Sequence, residues 1–270
     1  MGKVIYQPSG KAGEYANWAC NLYVGCSNNC DYCYCKKGVL SSVMGGPVPT
    51  LKKGLRDKEH ALEVFISEIT KDADDIRRSG GLFFSFSTDP CLPVTFDLTM
   101  HCVMVATGMD IPCSILTKCT AWASSPSVIE SLRMVKEKVA IGFTLTGMDE
   151  MERGETVALN AQRIALMRKL HDEGFLTFAS IEPVIELKRS REMILRAVDS
   201  CDFFEIGLLS GNAWYDQDEL EAFVKDMGAL FDRRGIPVYW KESVRKALGR
   251  APQGKTAVQK AHNIFERAGK

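Results

Sequence analysis

Cys26, Cys30 and Cys33 stand at the spacing C-x3-C-x2-C within Gly25-Cys26-Ser27-Asn28-Asn29-Cys30-Asp31-Tyr32-Cys33-Tyr34-Cys35, and metal ligation by thiolate is the chemistry they offer. An iron–sulfur cube held wholly by protein takes four thiolates, so three leave one iron open to chelation by a small molecule. Zinc prefers a closed set of four ligands, often two C-x2-C pairs, and the nearby fourth candidate is Cys35, two residues past Cys33. Disulfide frameworks suit short secreted chains, whereas these ten cysteines are spread over 270 residues behind no secretory signal. Iron–sulfur ligation carries most weight.

The rest of the chain must position that loop. At 46% hydrophobic and 25% charged residues, the composition is that of a globular protein with a sizeable core. Lys plus Arg equals Asp plus Glu at 34 each, so bulk charge argues for neither nucleic acid nor an acidic substrate, and any such preference is local. No apolar run of about 18 residues reads as a membrane span, and reduced thiols suit a cytoplasmic setting.

Strand-like and helix-like segments alternate. Residues 20–24 read as a short strand ending at the cysteine loop, and 36–56, rich in Gly and Pro, as a long aperiodic connection. Leu62, Phe65, Ile66, Ile69, Ala73 and Ile76 then recur at helical spacing, with Gly80-Gly81 to end the helix. Further strands are predicted over 82–86, 113–117, 139–146, 175–181, 202–209 and 236–240, separated by helices over 95–107, 125–136, 157–173, 190–199 and 218–234. Such alternation implies parallel strands joined by right-handed crossovers, with a β/α barrel, partial or full, as the natural closure. In such barrels chemistry gathers at the C-terminal strand ends. Here those ends carry the cysteine loop, Ser87-Thr88-Asp89, Lys118, Thr144 to Thr146, Glu182, Ser210-Gly211-Asn212 and Lys241, a polar series that predicts a ligand-lined mouth.

With these motifs in place, the chain resembles the radical S-adenosylmethionine (SAM) superfamily over nearly its whole length. Within it, the chain most resembles the spore photoproduct lyase-like branch and its phage-associated relatives. The specific part is Cys26, Cys30 and Cys33; S-T-D-P at 87–90, L-T-K at 116–118, F-T-L-T at 143–146 and I-E-P at 181–183 follow in the right order. The resemblance implies an α/β fold, a partial (β/α)6-type TIM barrel with parallel strands and outer helices, over 1–240, leaving 241–270 as a basic C-terminal extension. It also implies two cofactors, a [4Fe-4S] cluster on the three cysteines and SAM on the open iron. The reduced cluster would cleave SAM to a 5′-deoxyadenosyl radical that takes hydrogen from a substrate, with flavodoxin or ferredoxin as electron donor. Tyr32, Ser87, Thr88, Asp89, Lys118, Thr144 and Glu182 are the implied cofactor contacts: Lys118 for the carboxylate, the 87–89 trio for the amino group or ribose, Thr144 for the ribose and Tyr32 for the adenine end. Glu182 is read either as a ribose or substrate contact or as a structural partner of Arg163.

One departure bears on the substrate. Spore photoproduct lyases carry a hydrogen-donor cysteine three residues before the aspartate of the strand-two motif, and the matching position here is Phe86. Cys91 is the catalytic candidate in its place, against the ordinary role of cysteine as a packing residue. From Lys241 onward, eight basic residues (241, 245, 246, 250, 255, 260, 267 and 270) oppose Glu242 and Glu266, a pattern that suits a phosphate backbone or a solvated tail. The expected reaction is therefore photolyase-like repair or modification of a nucleobase in DNA or RNA. The other reading is a non-enzymatic iron–sulfur or zinc protein that binds nucleic acid through this segment.

Overall fold

The structure, a computed structural model, describes residues 3–211, 215–259 and 264–266. Strands β1 (Ile5–Tyr6) and β2 (Ala19–Cys20) pair antiparallel. Strand β3 (Tyr23–Val24) leads into the cysteine loop, which is followed by α1 (Ser41–Met44) and β4 (Thr50–Leu51). Regular alternation then runs through α2 (Lys58–Arg78), β5 (Leu82–Phe84), α3 (Phe96–Gly108), β6 (Cys113–Thr117), α4 (Pro126–Arg133), β7 (Val139–Thr144) and α5 (Asn160–Asp172). It continues with β8 (Leu176–Val184), α6 (Leu187–Ala197), β9 (Phe203–Leu208), α7 (Gln217–Arg234), β10 (Val238–Trp240) and α8 (Glu242–Leu248). The main sheet has the order β1-β2-β5-β6-β7-β8-β9-β10, parallel from β2 onward. This is the α/β architecture expected of the alternation.

Strand periodicity sorts the side chains between two faces. The helices bury their stripes against one face, where Leu82, Phe84, Ile115, Ile141, Phe143, Ala179, Ile181, Phe204 and Ile206 meet them in the main core. In α2 the buried stripe is Ala61, Phe65, Ile69 and Ile76, and Asp57 caps the helix by accepting the His60 amide at 2.7 Å. Ile66, expected in that stripe, is 41% exposed. The alternate residues form a second cluster on the opposite, inner face, containing Phe83, Ala140, Phe178, Phe203 and Tyr239. Register links polar members of that face in one row, Thr144 opposite Ser180, Ser180 opposite Glu205, and Glu205 opposite Tyr239.

Two segments differ from the sequence reading. The connection over 36–56 is structured: Thr50–Leu51 returns to pair with Tyr23–Val24, and the Lys52 amide donates to the Leu22 carbonyl at 2.9 Å. Strand β8 runs past Glu182-Pro183 to Val184, with a register shift between Ile181 and Val184, because its pairing with β9 resumes after the proline. Residues beyond β10 pack back on the sheet: the Val238 amide donates to Thr256 O at 3.0 Å, and Ile264 belongs to the inner-face cluster. Among the described residues no helix is long and apolar enough to cross a membrane.

Candidate active site

Because β2 is parallel to β5, the cysteine loop emerges at the C-terminal end of the sheet. Two segments wall it. On one side the Cys26 amide donates to Gly46 O at 2.9 Å. On the other, Cys30 bridges Glu152, the Asp31 amide donates to Met151 O at 2.9 Å and the Gly154 amide to Asn28 O at 2.9 Å. Gly154 is required by this approach, since a Cβ there would lie 2.2 Å from Ser27 O and 2.6 Å from Asn28 Cα. Gly154→Ala is therefore expected to push the cysteine loop from its wall and lower iron retention several-fold, measured as iron per chain after reconstitution; retention equal to that of the parent would show that the wall yields.

Cys30 is buried, and Cys26 and Cys33 are half-buried. Burial and the Asp89 carboxylate push the Cys26 thiol up to about 11, while the backbone N–H groups of Asn28 and Asp89 face its sulfur and favour the charged form. The Cys35 thiol donates to Cys33, holding Cys33 well below and Cys35 well above the usual thiol range. The Lys118 ammonium acts on Cys26, Cys30 and Cys33 alike. Burial opposes its charge, but Cys30 and Glu152 outweigh burial and raise its pKa. Three sulfurs around one ammonium, two of them facing backbone amides, fit an anionic thiolate-held group. Among the described residues no three His, Cys, Asp or Glu side chains converge as ligands of a single metal ion.

The residues expected to contact a cofactor fall into three groups. In the 87–89 trio, Asp89 is an organiser: its carboxylate accepts from Cys91 N at 2.9 Å, Thr117 Oγ1 at 2.6 Å, Asn28 Nδ2 at 2.8 Å and Lys118 N at 2.8 Å. Those bonds fill both oxygens and tie the cysteine loop to the ends of β5 and β6. The Ser87 hydroxyl is engaged by Tyr23 O, whereas Thr88 Oγ1 is buried without a hydrogen-bond partner, the open member of the trio. An orphaned buried hydroxyl beside the sulfurs is a place for a ligand's polar group.

The second group centres on Glu152, which the sequence reading did not single out. Its side chain, fully buried, pairs with the fully buried Arg163, accepts from the Tyr32 hydroxyl, and accepts from Thr146 Oγ1 at 3.2 Å. Arg163 also donates to Thr144 O at 2.7 Å. Tyr32 is thus tethered, with its ring 5.6 Å from Lys118 Nζ, and Lys118, Tyr32 and Thr144 are drawn together.

Glu182 belongs to the third group and does not pair with Arg163, whose partner is Glu152. It accepts from Lys241 Nζ at 2.5 Å and Tyr15 Oη at 2.6 Å. Burial would raise its pKa, but Lys241 and Tyr15 hold it below the usual carboxylate range. Burial pushes nearby Glu205, opposed by Lys241, up to about 8. Cys91 lies in the main core on the helix side, whereas Phe86 faces the inner side, stacked on Phe83 with centroids 4.7 Å apart. Of the C-terminal basic residues, Lys241 is buried, Arg245 donates to Trp240 O at 2.8 Å, Lys246 lies 3.6 Å from Glu242 and Arg250 pairs with Glu221 at 2.9 Å. Internal contacts thus engage these four charges. Asn212, Lys260, Arg267 and Lys270 lie outside the described residues.

No family model matches the sequence, and no curated protein does. Solved structures match in fold. Streptococcus suis SuiB bound to the precursor peptide SuiA gives a TM-score of 0.50 at 14% identity, over 68% of this chain and 43% of that one. SuiB bound to S-adenosylmethionine gives 0.48 at 12% identity, over 65% and 43%. The chain thus spans less than half the length of SuiB, and at these identities the likeness is one of fold.

Proposed function

We propose that this chain is a radical SAM enzyme built on a partial β/α barrel. The observation that carries the reading is the cysteine loop at the C-terminal sheet edge, where one lysine ammonium acts on three cysteine sulfurs and backbone amides face two of them. Cys26, Cys30 and Cys33 would hold the [4Fe-4S] cluster; Lys118, Thr88 and Thr144 would orient SAM. When bound, the reduced cluster and SAM supply a 5′-deoxyadenosyl radical that takes hydrogen from the substrate.

The chain's own residues do the rest. Lys118 places positive charge where a carboxylate would lie, Thr88 offers the unpartnered hydroxyl, and the Glu152–Arg163 pair fixes Tyr32 and the Thr144 carbonyl. Asp89 positions this set through its four hydrogen bonds rather than touching the ligand. Phe86, in place of a thiol, separates the chain from photoproduct repair within the photoproduct lyase-like branch we assign. We place its work in the cytoplasm with a flavodoxin- or ferredoxin-type donor, on a nucleobase-type substrate. Anaerobic reconstitution with iron and sulfide, reduction, and assay of SAM conversion to 5′-deoxyadenosine test the reading. Turnover is expected; zinc in place of iron, or iron without turnover, would sink it.

A further inference from the structure

The inner face holds a second constellation that SAM ligation does not use. Lys241 is fully buried, with Nζ 2.5 Å from Glu182 Oε2 and 3.5 Å from Glu205 Oε2. Glu205 is 3% exposed, and its Oε2 accepts no hydrogen bond. Desolvating two carboxylates and an ammonium is costly, and an apolar core of the same volume is often more stable. The helix face of the same strands is packed in that apolar way. The backbone makes room for the charges: a Cβ on Gly207 would lie 2.9 Å from the Glu182 carboxyl and 3.1 Å from Lys241 Cδ.

Tyr15 enters this set from outside the sheet. It belongs to the segment between β1 and β2, which is fastened across the inner face by Lys11 Nζ to Ser210 Oγ at 2.5 Å and by Glu14 Oε1, which accepts from Tyr239 Oη at 3.2 Å and the Glu242 amide at 2.6 Å. The Tyr15 hydroxyl donates to Glu182 and lies 2.8 Å from Ser180 Oγ. Its ring covers the Lys241 ammonium, 2.8 Å from Nζ to centroid, and sits 5.3 Å from the Phe83 ring and 5.6 Å from that of Phe86. A narrow cleft lined by Tyr15, Phe83, Phe178, Phe203 and Glu205, with room for about a water molecule, adjoins it at the N-terminal end of the strands. The site thus holds a planar ring between aromatic faces and a cation, with a donor pointing at one carboxylate and, on the second, an oxygen that is 3.5 Å from the ammonium but accepts no hydrogen bond.

We propose that Lys241, Glu182 and Glu205 form a binding site for a planar heterocycle that carries N–H donors beside a carbonyl, the nucleobase class, and that Tyr15 is its internal placeholder. The carboxylates would take the N–H groups, the ammonium the carbonyl, and the aromatic side chains the ring faces. A zwitterionic amino acid would match the charges but leave the aromatic faces without a partner. That such a ring is the substrate rests on the proposed radical chemistry; its binding does not.

Calorimetric titration with guanosine, in the absence of SAM, tests the site. Tyr15→Ala is expected to bind guanosine at least ten-fold tighter than the parent protein, and adding Glu182→Gln to lose at least ten-fold. Should Tyr15→Ala not fold, Tyr15→Phe, which keeps the ring and loses its donor, is expected to bind at least three-fold tighter than the parent. Unchanged guanosine affinity in the folded variant overturns the proposal. So does toluene bound as tightly as guanosine and indifferent to Glu182→Gln, which would reveal a mere hole, or glycine preferred to guanosine. None of these outcomes touches SAM cleavage, so the two readings fail separately.

Discussion

Replacing any one of Cys26, Cys30 or Cys33 by alanine is expected to lower SAM cleavage more than ~100-fold, beyond the roughly 10–100-fold lost when only an outer-shell partner of a metal site is removed. Cys35→Ala is expected to keep most of its iron. Cys35 is the discriminating position because it is buried beside Cys33 and donates its thiol hydrogen to it, close enough to pass for a fourth ligand. Its thiol hydrogen favours negative charge on Cys33, and its own charged form is disfavoured. Iron and sulfide per chain, with the cluster's visible absorbance, report ligation independently of turnover. Loss of the cluster in Cys35→Ala, or its retention in Cys30→Ala, would overturn the assignment of three ligands.

Arg163→Met is expected to cost ~3–5 kcal/mol, the usual result of removing one partner from a buried ion pair. Neither side chain of the Glu152–Arg163 pair is exposed to solvent, so Glu152 would be left with Tyr32 and Thr146 and no countercharge of its own in contact. For a chain of this size the thermal midpoint should fall on the order of 10 °C. The double variant Arg163→Met with Glu152→Gln should recover part of that loss, because the unpaired charge goes with its partner. Thermal unfolding followed by circular dichroism decides this. A loss below ~1 kcal/mol in the single variant would mean that Lys118 compensates Glu152 through space.

Legibility in the sequence followed the range of the forces involved. Helix α2 announces itself through Phe65, Ile69 and Ile76, because an apolar stripe repeats along one local element. The strand ends at Thr88, Lys118 and Thr144 are readable because a parallel β/α chain brings the same end of every strand to one edge. Glu152 leaves no such signal because it lies between β7 and α5 in a segment without periodicity, and its partner Tyr32 is 120 residues away. Tyr15 was missed for the same reason: it meets Glu182 across 167 residues. The type of Asp89 permits ligand contact, and only the four donors around it reveal an organiser. Lys241 fits two readings in the sequence, the strand-end series with Glu182 and the basic C-terminal run, and burial places it with Glu182 and Glu205. Long-range polar pairing leaves no periodic trace in a sequence.

The row from Thr144 through Ser180 and Glu205 to Tyr239 is also a ruler. Neighbouring strands lie about 4.8 Å apart, so three spacings set about 14 Å between the end nearest the cysteine loop and the far polar end. That length is on the scale of a nucleoside and well short of a folded partner. Its accuracy depends on register alone: a slip of β9 by one residue would turn Phe204 inward and Glu205 into the helix layer. Strand pairing here therefore fixes which polar groups share the inner face and how far apart they stand.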